Sequence, residues 1–376
     1  MQWMKCFTKY VVPNTRSLPK KILLVRCDRI GDLVLTTPVI SYIRQKWEKD
    51  ISISILVNED NAELIHGHPD LAEVMTLDKE GIHKGLVGTF RLVQQLRKRC
   101  FDAVFVFHPT VRIHLILFLS GIPQRIGYPA KLGRWFLSDL IPDKRAMGGR
   151  HEVENVLDVV DQSPWGTKGS VGKINSYQFW IAQDPCADQK IERELELAGL
   201  RKGERFIALH PGASCLSKRW PKERFMEVGK RLKQERGTQI VVVAGNSDRQ
   251  LGLEVARGIP GSLDFSGRTR LLELASLLRQ SQLLISNDSG PVHVAVAVGI
   301  PVLSIFGRNQ AGLSPIRWRP LGRNNRYLHK DVGCFVCLAH RCNLGFECLS
   351  TISVEEVVLV AMEMLQKSTS NLSCLS

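Results

Sequence analysis

Long apolar runs are missing from this sequence. No stretch approaches the roughly 20 apolar residues that a helix needs to span a bilayer, and the first residues are too polar for a secretory signal. These absences argue against an integral membrane protein and against a secreted one, so we expect the chain in the cytoplasm. A composition of 44% hydrophobic and 23% charged residues is typical of a soluble globular protein.

Acidic residues are scarce relative to basic ones. The 376 residues include 51 Lys and Arg against 37 Asp and Glu, which gives a formal net charge of +14. This balance favours an anionic partner, but no arginine-rich tail or repeated aromatic–basic pattern indicates nucleic acid. Seven basic and two acidic residues lie between Val111 and Arg150, beginning with Arg112. A solvated basic face is the alternative interpretation of this segment.

The glycine-rich dinucleotide fingerprint is also missing. After the first apolar strand pattern, Lys21–Cys27, the turn is Asp28-Arg-Ile-Gly-Asp32, and a helical pattern follows from Leu33 to about Trp47. Without G-x-G-x-x-G, a nicotinamide-dependent oxidoreductase has little support. The Asp32 carboxylate could accept a proton from a substrate hydroxyl, or it could only cap the helix. Asp28 is a second candidate base.

Strand and helix patterns alternate in two series along the chain. Apolar strand patterns occur at 21–27, 51–57, 73–77, 102–108 and 125–128, and then at 205–209, 238–244, 282–285 and 301–306. This alternation predicts an α/β protein with two doubly wound parallel sheets. Because ligands of such sheets bind beyond the carboxyl ends of the strands, we expect a site in a cleft between the two domains.

The domain boundaries follow from changes in composition. We assign residues 1–20 to a loose leader, 21–175 to an N-terminal domain, 176–352 to a C-terminal domain, and 353–376 to a final helix and tail. The boundary between the two domains falls in a segment rich in Gly, Ser, Pro and Lys, at 161–175, which is typical of a linker or a surface loop.

A turn suited to anions joins two apolar segments of the second series. Asp288, Ser289 and Gly290 precede a helix that Pro291 can begin. Free N–H groups and the helix dipole attract an anion there, and glycine lets a phosphate approach the backbone. Asp288 and His293 could hold hydroxyl groups of a ligand. The alternative is an ordinary turn, with Ser289 as the cap and His293 as a core residue.

A second polar loop opens the same series. Its small residues, Gly212-Ala-Ser214, leave backbone N–H groups and a hydroxyl accessible, and the Lys218 ammonium can neutralise a phosphate. A basic surface loop is the alternative. Asp248 follows the next strand pattern, where its carboxylate could bridge two ribose hydroxyls or cap a helix.

Four stretches together resemble the lipopolysaccharide heptosyltransferases of glycosyltransferase family 9. They are Arg29-Ile-Gly-Asp32 with Thr37-Pro38, Pro211-Gly-Ala-Ser214 with Lys218-Arg-Trp-Pro221, Ser266-Gly-Arg-Thr269 with Glu273-Leu-Ala, and Asn287-Asp-Ser-Gly-Pro-Val-His293. The stretches occur in the order of the family and span about residues 21–365. The resemblance implies a GT-B fold, two Rossmann-like domains facing across a cleft, with the acceptor on the first and ADP-heptose on the second.

The resemblance also implies roles for single residues. Asp32 would be the general base of an inverting, metal-independent transfer that needs no cofactor. The donor would be held by Ser214 and Lys218 at the diphosphate, by Asp248 at the ribose, by Thr269 near the adenine, by the backbone of Ser289 and Gly290 at the diphosphate, and by Asp288 and His293 at the sugar. Pro291 has no N–H, which removes one possible phosphate contact.

The partners that the resemblance implies match the excess of positive charge. The acceptor would be the anionic inner core of lipopolysaccharide, with peripheral contact at the cytoplasmic face of the inner membrane. Two other functions stay open, namely a related transferase that uses another nucleotide-sugar for a surface glycan, and a non-catalytic nucleotide-sugar binding protein.

Four of the ten cysteines are clustered near the end of the second series. They are Cys334, Cys337, Cys342 and Cys348, and the first pair has the spacing of a zinc knuckle. We expect reduced thiols in a compact loop, with a structural metal as the alternative and no part in the transfer.

Overall fold

Parallel strands form the centre of both halves of the chain. The computed structural model describes residues 17–47, 50–166, 177–334 and 336–373. These form two compact units: the described residues of Met1–Arg145 and Glu152–Trp180 belong to the first, and those of Ala146–His151 and Ile181–Ser376 to the second. Most of the predicted leader and of the predicted linker, residues 1–16 and 167–176, lies outside the described residues.

Six strands of the described residues form the sheet of the first unit. They are β1 (Lys21–Arg26), β2 (Ser52–Asn58), β3 (Glu73–Leu77), β4 (Ala103–Val106), β5 (Gln124–Gly127) and β6 (Asp139–Leu140). All neighbours pair in parallel, in the order β3-β2-β1-β4-β5-β6. The central strands are buried along almost their whole length, which explains their continuous apolar runs.

The helices of the first unit connect these strands. They are α1 (Ile30–Thr36), α2 (Pro38–Lys46), α3 (Glu59–Ala62), α4 (Gly85–Arg99), α5 (Val111–Leu119) and α6 (Glu152–Asp161). The single helix predicted from Leu33 to Trp47 is two helices, because Pro38 lacks an N–H and begins a new one. Helix α5 was not predicted, since its run of nearly continuous apolar residues has no clear period.

The second unit repeats the architecture. Its strands are β7 (Phe206–His210), β8 (Gln239–Val242), β9 (Leu263–Asp264), β10 (Ser281–Asn287), β11 (Val302–Phe306) and β12 (Arg326–His329). They also pair in parallel, in the order β12-β11-β10-β7-β8-β9. The short edge strands β9 and β12 were not predicted, because they bury too few residues to show an apolar pattern.

The helices of the second unit cover its sheet. They are α7 (Pro185–Leu197), α8 (Lys222–Arg236), α9 (Arg249–Arg257), α10 (Leu271–Gln280), α11 (Gly290–Ala297), α12 (Pro315–Trp318), α13 (Glu347–Ser350) and α14 (Val354–Ser373). Helix α14 packs its apolar face into the same core as α8 and the central strands. Within the described part of the chain, no helix combines the length and apolar character needed to cross a membrane.

Each sheet has a topological switch point at its centre. In the first unit the connections from β1 to β2 and from β3 to β4 run in opposite directions, so the switch lies between β1 and β4. In the second unit it lies between β7 and β10. Ligands of doubly wound sheets bind beyond these points, where loops diverge to opposite faces. The segments that follow β1, β7, β8, β9 and β10 carry the predicted site residues. The prediction of two doubly wound parallel sheets is confirmed.

Candidate active site

The Asp32 carboxylate is held by an arginine from the preceding strand. Arg26, the last residue of β1, is 2% exposed and donates through Nη2 to Oδ1 of Asp32. The same Nη2 donates to Oε1 of Glu152 over 3.0 Å, and Nε donates to Oδ1 of Asp28 over 2.9 Å. Asp32 lies in the first turn of α1, so both the helix dipole and Arg26 favour its ionised form.

The three carboxylates around one guanidinium set the electrostatics of this cluster. Burial raises the pKa of Asp32; Arg26 opposes the shift, whereas the charges of Asp28 and Glu152 add to it. Burial likewise raises the pKa of Asp28. A carboxylate whose pKa lies above its ordinary value is a better proton acceptor, and a fixed geometry keeps it aimed in one direction. The cluster can therefore supply a general base.

Three side chains from the segments around the ends of β2 and β3 fix the turn between β1 and α1. Nδ2 of Asn58 donates to the Asp28 carbonyl over 2.9 Å, and Nδ2 of Asn61 donates to the same oxygen over 3.1 Å. The Lys79 ammonium donates to the Cys27 carbonyl over 2.6 Å. With its carbonyl groups bonded in this way, the turn presents Asp28 and Asp32 on a rigid backbone.

In the second unit, a neutral histidine organises the start of α11. His210, at the end of β7, places Nδ1 3.1 Å from the Ser286 hydroxyl and 3.2 Å from the Ser289 hydroxyl. Burial lowers the pKa of His210 to about 4, so its imidazole is neutral at physiological pH. The Ser289 hydroxyl points to this group and does not cap the helix that it precedes. The alternative interpretation, in which Ser289 caps this helix through its side chain, is therefore not observed.

Two cations converge on the Asp288 carboxylate. Nζ of Lys218 lies 2.9 Å from Oδ2 of Asp288, and Nη2 of Arg308 lies 3.0 Å from the same oxygen. Lys218 ends the short 3₁₀ turn Leu216–Lys218, and Arg308 follows β11 by two residues. Two positive charges shared by one carboxylate leave an excess of positive charge beside the N-terminus of α11. A diphosphate at this place would find both ammonium and guanidinium donors.

Asn287 ties the two polar loops of this unit together. Its amide Nδ2 donates to the Pro211 carbonyl over 2.7 Å, and its Oδ1 accepts from the Trp220 N–H over 3.0 Å. The side chain is fully buried and therefore clamps both ends of the 211–220 loop to the end of β10. This clamp positions Lys218 relative to Asp288.

Asp248 lies directly over the small residues of the 211–220 loop. A Cβ atom at Gly212 would come 2.8 Å from Oδ2 of Asp248, so only glycine fits here without a shift. Asp248 forms an ion pair with Arg219, whose guanidinium also donates to the Ala213 carbonyl over 2.8 Å. Asp248 therefore folds over the loop, and a ribose would have to compete with Arg219 for this carboxylate.

The other predicted donor residues lie on the same unit. Ser214 is exposed in the 211–220 loop, Thr269 is half-buried in the loop before α10, Gly290 is half-buried at the start of α11, and His293 is buried within it. Their roles as donor contacts remain predictions.

The segment that carries the clustered cysteines contacts the 211–220 loop through His340. All four have free thiols, and burial together with the neighbouring thiols raises the pKa of Cys348 to about 11. The Phe346 N–H donates to Sγ of Cys342 over 3.4 Å, and Nδ1 of His340 lies 3.3 Å from the Ser217 hydroxyl. Among the described residues, no group of three or more His, Cys, Asp or Glu side chains is placed to hold a metal ion.

The sequence did not indicate four residues that organise the site, namely Arg26, Glu152, Asn287 and Arg308. Arg26 and Arg308 end or follow buried strands, a position at which a charged side chain is unusual enough to draw attention. Nothing in the sequence around Glu152 indicates a role in the site, because its partner Arg26 lies 126 residues earlier in the chain.

The sequence matches a known protein family over most of its length. The model of the family described as glycosyltransferase family 9 (heptosyltransferase) matches residues 89–346, well over half of the chain. A lipopolysaccharide heptosyltransferase 3 from Escherichia coli strain K12 is 29% identical over 354 residues, covering 89% of this chain and 95% of the relative.

Solved structures show a similar architecture. A glycosyltransferase family 9 protein from Veillonella parvula superposes with a TM-score of 0.82 and 23% identity, covering 94% of this chain and all of that one. The ADP-heptose lipopolysaccharide heptosyltransferase II of E. coli superposes with a TM-score of 0.73 and 20% identity, covering 93% of this chain and 99% of that one. The likeness confirms the GT-B fold class expected from the sequence.

Proposed function

The chain belongs to glycosyltransferase family 9, the heptosyltransferases of lipopolysaccharide core synthesis, and from this premise we propose that it transfers heptose from ADP-L-glycero-D-manno-heptose to the inner core. A solved protein of the same fold carries ADP-heptose in its name. We propose further that the reaction inverts the anomeric carbon, requires no metal, and takes place at the cytoplasmic face of the inner membrane.

The observation that carries the proposal is the anchored carboxylate of Asp32. It is fixed by Arg26, has a raised pKa, and lies in the first turn of a helix beyond the switch point of its sheet. In the proposed step the acceptor hydroxyl attacks the anomeric carbon as the bond to ADP breaks, and Asp32 takes the hydroxyl proton. Attack from the face opposite the leaving group inverts the configuration.

The second unit would stabilise the leaving group. Negative charge grows on the ADP diphosphate as the glycosidic bond breaks, and Lys218, Arg308 and the N-terminus of α11 can offset it. In this proposal Lys218 and Arg308 turn part of their interaction from Asp288 to the diphosphate. The Asp288 carboxylate can then accept a hydrogen bond from a hydroxyl of the sugar. Ser214, Asp248, Thr269 and His293 keep the donor roles that the family resemblance implies.

The substitution Asp32→Asn tests the base. We expect transfer to fall by about 10²–10⁴ fold, with the affinity for ADP-heptose unchanged because the donor residues lie on the other unit. Asp60→Asn, an exposed acid at the start of α3, is the matched control. Transfer by Asp32→Asn at the rate of the unsubstituted protein would remove Asp32 as the base.

Donor identity and stereochemistry need separate measurements. Thermal shift with ADP- and UDP-sugars decides the nucleotide, and a preference for a UDP-sugar would favour the related transferase over the heptosyltransferase. Binding of ADP-heptose without turnover on any core acceptor would favour the non-catalytic binding protein. The anomeric configuration of the product, read by NMR, tests inversion, and turnover in the presence of EDTA tests metal independence.

A further inference from the structure

Exposed apolar side chains of the first unit are concentrated in one part of its sequence. Among its described residues, the large apolar side chains that stand exposed all lie between Ile82 and Leu140. The most prominent are Leu86, which is 90% exposed, and Trp135, which is 75% exposed. Such side chains carry an energetic cost in water unless another surface covers them.

Seven of these side chains lie on loops and helix starts at one edge of the sheet. Helix α4 follows β3, α5 follows β4, and the 3₁₀ helix Lys131–Phe136 follows β5, so all three begin beyond the carboxyl ends of parallel strands. We name the apolar edge as the set Ile82, Leu86, Val87, Phe90, Val111, Leu132 and Trp135. Asp32 follows β1 at the same edge of the sheet.

Contacts between the three segments make the apolar edge continuous. Arg112, in the first turn of α5, donates to the His83 carbonyl of the loop before α4. A Cβ atom at Gly133 would come 3.3 Å from Cα of Val111, so the 3₁₀ helix lies directly against the start of α5. The edge is therefore one surface and not a set of scattered residues.

The charge of this region identifies what covers the surface. Residues 82–145 contain eleven Lys and Arg against three Asp, which is +8 of the net +14 of the chain. Lys84, Lys131 and Arg134 are exposed and stand among the apolar residues of the edge. Apolar side chains interspersed with basic ones are typical of proteins that lie in the interface of an anionic bilayer. A second copy of the chain fits less well, because two such basic surfaces repel each other.

We propose that the apolar edge is a docking surface for the anionic phospholipid bilayer. Its aromatic and aliphatic side chains enter the interface, and Lys84, Lys131 and Arg134 pair with lipid phosphates. The inference deepens the proposed function and rests on it in one respect, since an acceptor of that class is anchored in a membrane. Docking through this edge would bring the start of α1 toward the membrane surface.

Vesicle binding tests the proposal without donor or acceptor. The full-length protein is sedimented with phosphatidylcholine vesicles that contain or lack phosphatidylglycerol, at low and at high salt. We expect binding that needs the anionic lipid and weakens with salt. The variants are L86S/F90S/W135S for the apolar contribution and K84E/K131E/R134E for the basic one. Each should reduce the partition coefficient by roughly tenfold or more.

Matched controls come from the second unit. Leu197 and Leu359 are exposed leucines, and Arg323 is an exposed arginine. L197S/L359S and R323E should bind vesicles as the unsubstituted protein does. Transfer to a soluble, lipid-free core oligosaccharide should be retained by L86S/F90S/W135S, so a failure of docking is distinguishable from a failure of the transferase assignment.

Three results would overturn the proposal. The first is an unsubstituted protein that does not bind anionic vesicles at low salt. The second is a pair of edge variants that bind as well as their controls. The third is a change of oligomeric state in sedimentation velocity by L86S/F90S/W135S with vesicle binding unchanged, which would assign the surface to self-association.

Discussion

Removal of the Glu152 charge should change the pH dependence of transfer. Glu152 and Asp32 accept hydrogen bonds from the same nitrogen of Arg26, and the negative charge of Glu152 raises the pKa of Asp32. Glu152→Gln keeps an oxygen acceptor for Arg26 but removes the charge. If Asp32 is the base, the acidic limb of kcat/KM against pH must move to lower pH.

The size of the shift follows from the geometry. The carboxylate oxygens of Asp32 and Glu152 accept hydrogen bonds from one nitrogen, so they lie within about 6 Å of each other. At an effective dielectric constant of about 20, two unit charges at that distance interact by about 3 kcal/mol, or roughly two pKa units. The guanidinium between them and the solvent that reaches the outer side of Asp32 weaken this interaction. We therefore expect the limb to move by about one pH unit.

The pH dependence of the free energy of unfolding is a second measurement of the same coupling. Asp28 and Asp32 have pKa values above the ordinary carboxyl value, so the folded state holds protons that the unfolded state releases. The free energy of unfolding should therefore fall as pH rises from the ordinary carboxyl pKa through these raised values. Glu152→Gln should make this decline smaller, which chemical denaturation at several pH values measures.

The assay is the initial rate against pH at saturating donor and subsaturating acceptor, which gives kcat/KM for the acceptor. It compares the unsubstituted protein, Glu152→Gln and Glu154→Gln. Glu154 lies on the same helix and is partly exposed, so its substitution removes a charge from α6 while the Arg26–Glu152 hydrogen bond is kept. An acidic limb that stays in place or moves to higher pH in Glu152→Gln would refute the coupling. Equal shifts in both variants would refute its assignment to this cluster.

Three further substitutions follow from the second unit. Lys218→Met should raise the KM for the donor and lower kcat by about tenfold or more, since one cation at the diphosphate is lost. Steady-state kinetics measures both constants, and unchanged values would contradict the proposed role of Lys218 at the diphosphate. Asn287→Ala should lower the free energy of unfolding by about 2–4 kcal/mol, because a buried amide and both of its hydrogen bonds to backbone groups are lost. Denaturant unfolding measures this loss, and a value below about 1 kcal/mol would contradict the clamp. Gly212→Val should weaken ADP binding in calorimetry by displacing Asp248, and unchanged affinity would contradict that placement.

Much of the fold was predictable because its signals are local. Buried parallel strands are continuous apolar runs, and the predicted patterns for β1, β3 and β11 agree with the observed strands to within a residue at each end. Helix α5 and the short edge strands escaped prediction, because an apolar run without a period does not distinguish helix from strand. A few residues at a sheet edge carry too little pattern to detect.

The sequence by itself determined which residues stand at the carboxyl ends of strands. Asp32, Lys218 and Ser289 were identified in the segments that follow predicted strands. The structure places Asp32 in the first turn of α1 after β1, Lys218 in the 3₁₀ turn after β7, and Ser289 directly before α11 after β10. Their positions follow from local order along the chain, since a polar turn after a buried strand is visible in a window of a dozen residues.

Only the tertiary structure decided which of these residues meet. Glu152 reaches Arg26 across 126 residues, and Asn287 clamps a loop that begins 76 residues before it. These pairings depend on the order of strands in each sheet and on helices that pack from distant parts of the chain. A buried charge or amide must find its partner in space, and no local pattern in the sequence records where that partner lies.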